Sequence, residues 1–288
     1  MSRTFSLPSE VFPRSGVTRM LHEPGRVRFV VAMFIEHPNP PNSHTDMVMP
    51  GFAANLVLRG TGRYIDSNGT SYRLEPGVLF HRFPGRKHSS LYDAGTDYAE
   101  CFVVFDEHSG QGLAASGMLP REPVLNVGVQ PSIVREFRHL MRRLEAPERE
   151  VPGRLALWEA TQYLQGLWER ARLRGEQDAE KKLIDEACRL LAGAADGREP
   201  LEKIARELGL SYATFRKRFR EATGLSPGSY RIRQRLQRAC QLLPHRSIKH
   251  VAAELGYRDP FTFSAQFKSA MGVSPRAFKQ KLGQSQGD

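Results

Sequence analysis

The residues best placed to do chemistry lie near the C-terminal end. Arg216, Lys217 and Arg220 are one, three and four positions apart. On a helix such spacings gather side chains on one face. Guanidinium and ammonium groups arranged this way can donate to guanine edges and to phosphates. Elsewhere the chemistry-bearing types are scattered. Cys101, Cys188 and Cys240 form no metal-type spacing, and an odd number argues against a disulfide framework. An alkyl-transferring repair regulator needs a nucleophilic cysteine cluster, which these three do not supply. A catalytic metal needs three ligands converging from one side. His44 stands alone and His81 is displaced, so neither metal nor cofactor is expected, and no catalytic residue is assigned.

Composition sets the broad class. The 288 residues are 40% hydrophobic and 25% charged, enough for two ordinary domains with a helical connector. No apolar run approaches the roughly 20 residues of a membrane span; the longest, Phe29 to Ile35, reads as a buried strand. The N-terminus lacks the basic-then-apolar pattern of a secretion signal. A reducing cytoplasm is the expected setting, with no membrane partner. Net charge is +11, and 178–288 carries 21 Lys+Arg against 12 Asp+Glu. A concentrated basic region attracts polyanions, although charge alone does not separate DNA from RNA or an anionic membrane.

Several elements must position these residues. Residues 1–25 are poorly patterned and read as a loose arm. From 26 to 110 short apolar runs alternate with turn signals such as Asn68-Gly69, Glu75-Pro76-Gly77 and Pro84-Gly85, predicting a small β-sandwich or barrel. Between 111 and 174, Ile133-Phe137-Leu140-Met141-Leu144 and Leu157-Thr161-Leu164-Trp168-Ala171 follow helical spacing and predict helices at 131–145 and 153–173. Leu157, Leu164 and Trp168 are read as a dimer face, since exposed apolar stripes seek partners; packing onto the barrel is the alternative. The polar stretch Arg172 to Glu180, with Gly175, reads as an interdomain linker. A domain of helices follows over 175–284.

That last region repeats itself. Ile204 to Pro227 recurs as Val251 to Pro275, the second copy with one extra turn residue. Each copy parses as a short helix, a glycine turn at Gly209 or Gly256, a cap at Ser211 or Asp259, and a second helix with two phenylalanines four apart. This is a helix-turn-helix, at about 201–222 and 248–271. The outward face of the first reading helix carries Ala213, Arg216, Lys217 and Arg220, with Ser211 and Thr214 at its start. In the second it carries Phe261, Ser264, Ala265 and Lys268, with Pro260 at its start. The second face has no bidentate donor and suits thymine methyls and backbone anchoring. A helix at about 227–243 joins the copies. At 1.5 Å per residue it spans about 25 Å. That suits two reading helices in successive major grooves of double-stranded DNA, about 34 Å apart. Solvated surface is the competing explanation for Arg231, Arg233, Arg235 and Arg238.

Gly224-Leu-Ser-Pro-Gly-Ser-Tyr230-Arg231 and Gly272-Val-Ser-Pro-Arg-Ala-Phe278-Lys279 closely resemble the paired signature of the AraC/XylS family of bacterial regulators, over about 100 residues. The segment Asn55-Leu-Val-Leu-Arg59-Gly60-Thr-Gly62, with Tyr72 to Gly77 and Pro84 to His88, is similar to the family's cupin-type effector domain. The resemblance implies an α+β protein of two domains: a cupin-like barrel with dimerisation helices, then an all-α domain with two helix-turn-helix units. It implies a nucleoid-associated homodimer that binds promoter sites, answers a small molecule such as a sugar, activates metabolic genes and meets RNA polymerase. Arg59 matches an arginine that holds the sugar in arabinose-type members. His88, Glu100 and Phe102 are the other expected effector contacts, with packing or exposure as the competing role for each. The second reading helix departs from the family, having Ser264-Ala265 where a basic residue often follows the serine. The rival reading is a metal-dependent cupin enzyme with a DNA-binding tail, since Gly77 to His88 resembles half of a cupin metal pattern. A non-specific architectural DNA binder is a further alternative.

Overall fold

The computed structural model describes residues 15–23, 26–36, 43–194 and 199–284. The chain divides into two compact units between Glu176 and Gln177.

The first unit is built on antiparallel strands: β1 (Ser15–Glu23), β2 (Arg26–Glu36), β3 (His44–Val48), β4 (Phe52–Arg59), β5 (Gly62–Ile65), β6 (Ser71–Leu74), β7 (Val78–Arg82), β8 (Lys87–Tyr92) and β9 (Ala99–Phe105). A short helix, α1 (Glu107–Ala115), and strand β10 (Val124–Asn126) follow. Six strands form one sheet in the order β1-β2-β9-β4-β7-β10, and four form a second in the order β3-β8-β5-β6. The expected loose arm is thus corrected over its second half: Ser15 to Glu23 pair with β2 along their whole length. Alternating Val17, Arg19 and Leu21 give one side of β1 something to pack. Residues 1–14 of the arm lie outside the described residues.

Alternation also explains why β4 is buried on both faces. Phe52, Ala54, Leu56 and Leu58 join Ala99, Cys101, Val103 and Phe105 of β9 in one core. Val57 joins Tyr64, Leu74, Val78, Phe80, Tyr92 and Tyr98 in another. Two helices cover the first of these: α2 (Pro131–Glu145) and α3 (Gly153–Gly193). α2 starts on a proline at its first position, where the missing N–H costs nothing. It buries Ile133, Val134, Phe137, Leu140, Met141 and Leu144, the face its spacing predicts. Phe137 meets Phe34 edge-on at 4.6 Å, and Arg143 pairs with Glu159 of α3 at 2.8 Å.

The linker expected at Arg172 to Glu180 is helix in the structure, part of a 41-residue α3. Residues 172–179 are all exposed. Arg172 bonds Glu169 at 2.6 Å and Glu176 at 2.5 Å, and such i,i+3 and i,i+4 pairs support a solvated helix. Polarity there marks solvent on every side of a helix, which the sequence pattern reads as a break.

The second unit is helical: the end of α3, then α4 (Leu201–Glu207), α5 (Tyr212–Thr223), α6 (Pro227–Leu242), α7 (Ile248–Glu254), α8 (Pro260–Met271) and α9 (Pro275–Gln284). It has two small cores. Ile184, Ala187 and Leu191 of α3 pack with Ile204, Ala205, Phe215 and Phe219. Leu236, Ala239 and Leu243 pack with Val251, Ala252, Leu255, Phe263 and Phe267. α6 serves both, placing Tyr230 against the first and Leu236 in the second.

Candidate nucleic-acid interface and inter-sheet polar site

The repeat folds twice by one local logic. Gly209 and Gly256 adopt φ of 69° and 73°, the left-handed turn that ends α4 and α7. Ser211 Oγ then accepts the Thr214 N–H at 3.2 Å, and Asp259 Oδ1 accepts the Thr262 N–H at 2.7 Å. These caps satisfy donors that the first turn leaves unpaired. The Asp259 carboxyl is held below the usual carboxylate range by the Thr262 N–H and hydroxyl. Phe215 with Phe219, and Phe263 with Phe267, bury the inward faces of α5 and α8 completely.

The outward face of α5 carries Ala213, Thr214, Arg216, Lys217 and Arg220, all exposed. Ala213, Arg216, Lys217 and Arg220 line one surface hollow with Glu221. None of the three cations makes an ion pair among the described residues. Arg218, on the flank, is instead held by Glu180 of α3. On α8, Phe261 is 85% exposed, and Ala265 and Lys268 are exposed. Pro260 opens the helix at its first position. The Ser264 hydroxyl donates back to the Pro260 carbonyl at 2.7 Å, which occupies its proton and shortens its reach outward. Of the four arginines of α6, Arg231 donates to the Glu199 carbonyl at 2.6 Å and Arg235 stacks on Tyr257. Arg233 and Arg238 are exposed. One residue of this surface escaped the sequence reading: the extra turn residue of the second copy is Arg258, with its side chain 95% exposed. Alignment of the two copies carried that signal, since Arg258 is the insertion itself.

Between the two sheets of the first unit lies a polar layer. Glu100 accepts from Asn55 Nδ2 and from the Tyr98 hydroxyl, each at 3.3 Å. Arg82 donates to Ser90 Oγ at 3.3 Å. The His88 ring stacks on Tyr64 at 6.1 Å. Asn55, His88, Ser90 and Glu100 are all buried, and Phe102 is paired with Asn55 across the ladder, half-buried. Asn55 Oδ1, Arg82 Nε and His88 Nε2 have no hydrogen-bond partner among the described residues. Burial lowers the His88 pKa and pushes the Tyr64 phenol up to about 12, so both are neutral at pH 7. A layer of buried donors and acceptors with open valences suits a small hydroxylated ligand. Asn55 and Arg82 were missed from sequence, although Asn55 is the one amide in the apolar run Phe52 to Leu58. Arg59 is not joined to this layer by any contact described: it is paired with Glu36 and, at 2.6 Å, with Asp97. Those two carboxylates occupy the fork that was expected to hold a ligand.

The expected dimer face is also corrected. Leu164 is 1% exposed and belongs to the core of the first unit, with Leu157 and Trp168 packed against it. Trp168 Nε1 donates to His81 Nε2 at 3.0 Å. Spacing marks a helix's apolar stripe but not what covers it, and here the six-stranded sheet does. Among the described residues no group of three His, Cys, Asp or Glu side chains could hold a metal ion. No helix of the described residues is long and apolar enough to cross a membrane.

Comparison with known proteins bears on the helical unit first. Residues 204–281 match the family described as a helix-turn-helix domain, which spans both reading helices. The MmsAB operon regulatory protein of Pseudomonas aeruginosa is 35% identical over 89 residues, 30% of this chain and 29% of that protein. The transcriptional activator RhaS of Klebsiella pneumoniae is 27% identical over 288 residues, 95% of this chain and 96% of that protein. The helical unit is thus a helix-turn-helix domain of the AraC type. A DNA-binding transcriptional dual regulator of Escherichia coli K-12 is 28% identical over 35% of this chain and 93% of its own, with a TM-score of 0.33. The match thus covers less than a third of the first relative and nearly all of the second. A sheet-rich N-terminal unit followed by paired helix-turn-helix units is the architecture expected of such a regulator.

Proposed function

We propose that this regulator is a ligand-responsive activator that reads promoter DNA chiefly through α5. The observation that carries the reading is the row of Arg216, Lys217 and Arg220, exposed on one face without ion pairs among the described residues while neighbouring Arg218 is neutralised. The absence of ionic partners among the described residues leaves these groups available to guanine edges and phosphates. α6, at 16 residues, is about 24 Å long and suits recognition helices in successive major grooves. The effector belongs in the polar layer between the sheets, around Asn55, Arg82, His88 and Glu100, and a sugar is the class those groups suit. The relatives named as activators support the sign of regulation. The cytoplasm is the compartment, and no catalytic step is part of this reading.

Gel-shift titration on a selected operator tests it. Arg216→Ala should weaken specific binding about 5- to 150-fold and relax the preference at one base pair. Lys217→Ala should weaken all sequences alike and flatten the log–log salt dependence by about 0.9. Unchanged affinity in both variants would overturn the assignment of α5.

A further inference from the structure

The two helix-turn-helix units match element for element: a seven-residue helix, a left-handed glycine, a side-chain cap, a twelve-residue helix and a second left-handed glycine. They differ where a reading helix meets its target. Aligning the caps Ser211 and Asp259 sets Phe261 against Ala213, Ser264 against Arg216 and Ala265 against Lys217. Two basic readers of the first unit, Arg216 and Lys217, are therefore replaced by a self-bonded and an apolar group, while Lys268 stands against Arg220.

Phe261 is not a core residue out of place. Phe215, Phe219, Phe263 and Phe267 are fully buried, whereas Phe261 is 85% exposed. It sits in the first turn of α8, directly after Pro260, and that turn of a recognition helix approaches base edges. Exposed Ala265, one turn further along, extends the apolar surface. Positive charge flanks it in sequence, with Arg258 before the cap and Lys268 beyond, both exposed. The inserted Arg258 adds a second cation to Lys268, the one basic residue of α8. In the major groove one base feature complements an apolar surface, the thymine C5-methyl group.

We propose that the second unit selects thymine by methyl contact, with Phe261 as its specificity-determining residue, Ala265 beside it, and Arg258 and Lys268 anchoring phosphates. This rests on the DNA reading proposed above. It predicts an operator with two unlike halves: one read by hydrogen bonds to guanine through α5, one read by methyl groups through α8.

The test uses the full chain and duplexes selected from a random library. Each thymine of the selected site is replaced singly by deoxyuridine, which removes the methyl and leaves base pairing intact. One or two thymines, in the half-site insensitive to Arg216→Ala, should show about fourfold weaker binding, the loss expected for one buried methyl-sized group. In Phe261→Ala the thymine and deoxyuridine duplexes should bind equally, with the unfolding temperature unchanged because the ring is exposed. Arg258→Ala should weaken both duplexes by the same factor. The inference is overturned if no methyl matters, or if Phe261→Ala keeps the parent's penalty. A Phe261 that docks a protein instead would give the first result. Should selection yield no preferred sequence, the DNA reading fails as well; selection with an Arg216-dependent half but no methyl effect sinks this inference alone.

Discussion

His81 lies buried in β7 on the face turned toward α3, with its Nδ1 3.2 Å from the Pro123 carbonyl and its Nε2 accepting from Trp168. That pairing needs the neutral ring protonated at Nδ1. Burial pushes the imidazole pKa down to about 4, against the opposing pull of backbone carbonyls at Pro123 and Glu122. The sign follows from linkage. Below the ordinary value of about 6.5 the unfolded chain takes up a proton that the folded chain refuses. The contribution is therefore complete above about pH 6.5 and is lost as pH falls toward 4, by up to about 3 kcal/mol. Urea unfolding followed by tryptophan fluorescence at pH 7 and 4.5 checks this. His81→Gln should lose less stability across that interval than the parent; equal losses would show that His81 does not titrate there. Arg82, the next residue, faces the polar layer, so β7 carries an α3 contact on one side and a group of that layer on the other.

Among the elements, the turns hold the two sheets in register, and two of them separate backbone strain from crowding. Gly77 has φ +94°, and a Cβ there would stand 2.6 Å from the Gly128 Cα. Its N–H donates to the Val57 carbonyl, and its own carbonyl accepts from Val127 and Gly128. Gly69 has φ +79° with nothing within 4 Å of an added Cβ. Gly69→Ala should cost about 1 kcal/mol, the left-handed penalty alone. Gly77→Ala adds overpacking against backbone and should cost about 2–4 kcal/mol. Chemical denaturation of the two variants measures the difference, and equal costs would show that the Gly77–Gly128 approach is not tight. The elements of the helical unit obey a different rule: each small core leans on a neighbour, α3 for the first and α6 for the second. Neither pair of short helices buries enough surface to stand alone.

At the scale of the whole molecule, net charge and the buried polar layer are segregated. Residues 177–288 hold the larger part of the net +11, while the buried polar layer belongs to the first unit. A ligand in that layer can alter DNA binding only by favouring one state of the chain over another. Coupling is reciprocal, so the factor by which ligand changes DNA affinity equals the factor by which DNA changes ligand affinity. Titrating each in the presence of the other, with a panel of monosaccharides as ligands, should give matching factors of about 5- to 150-fold. Asn55→Ala, which removes the open amide oxygen, should abolish both. A sugar that binds without changing DNA affinity would remove the ligand-responsive part of the reading.

The paired helix-turn-helix was legible in the sequence because its signals are local. A glycine turn, a capping side chain and phenylalanines four apart are decided within one or two turns of chain, and repetition doubled each of them. The strands of the first unit were legible as a class, through turn residues and alternation. What lay outside the sequence were the partners. Ser15 to Glu23 form a strand because β2 offers an edge, and Arg172 to Glu180 stay helical within a longer helix. Leu164 and Trp168 face a sheet drawn from residues far away along the chain. Arg59 meets Glu36 and Asp97, and Asn55 meets Glu100, only once the ladders are in register. Local backbone preference and periodicity determine which element forms and which face is apolar. What covers that face, and which charge finds which counter-charge, depends on contacts between distant residues, and the tertiary structure alone supplies those.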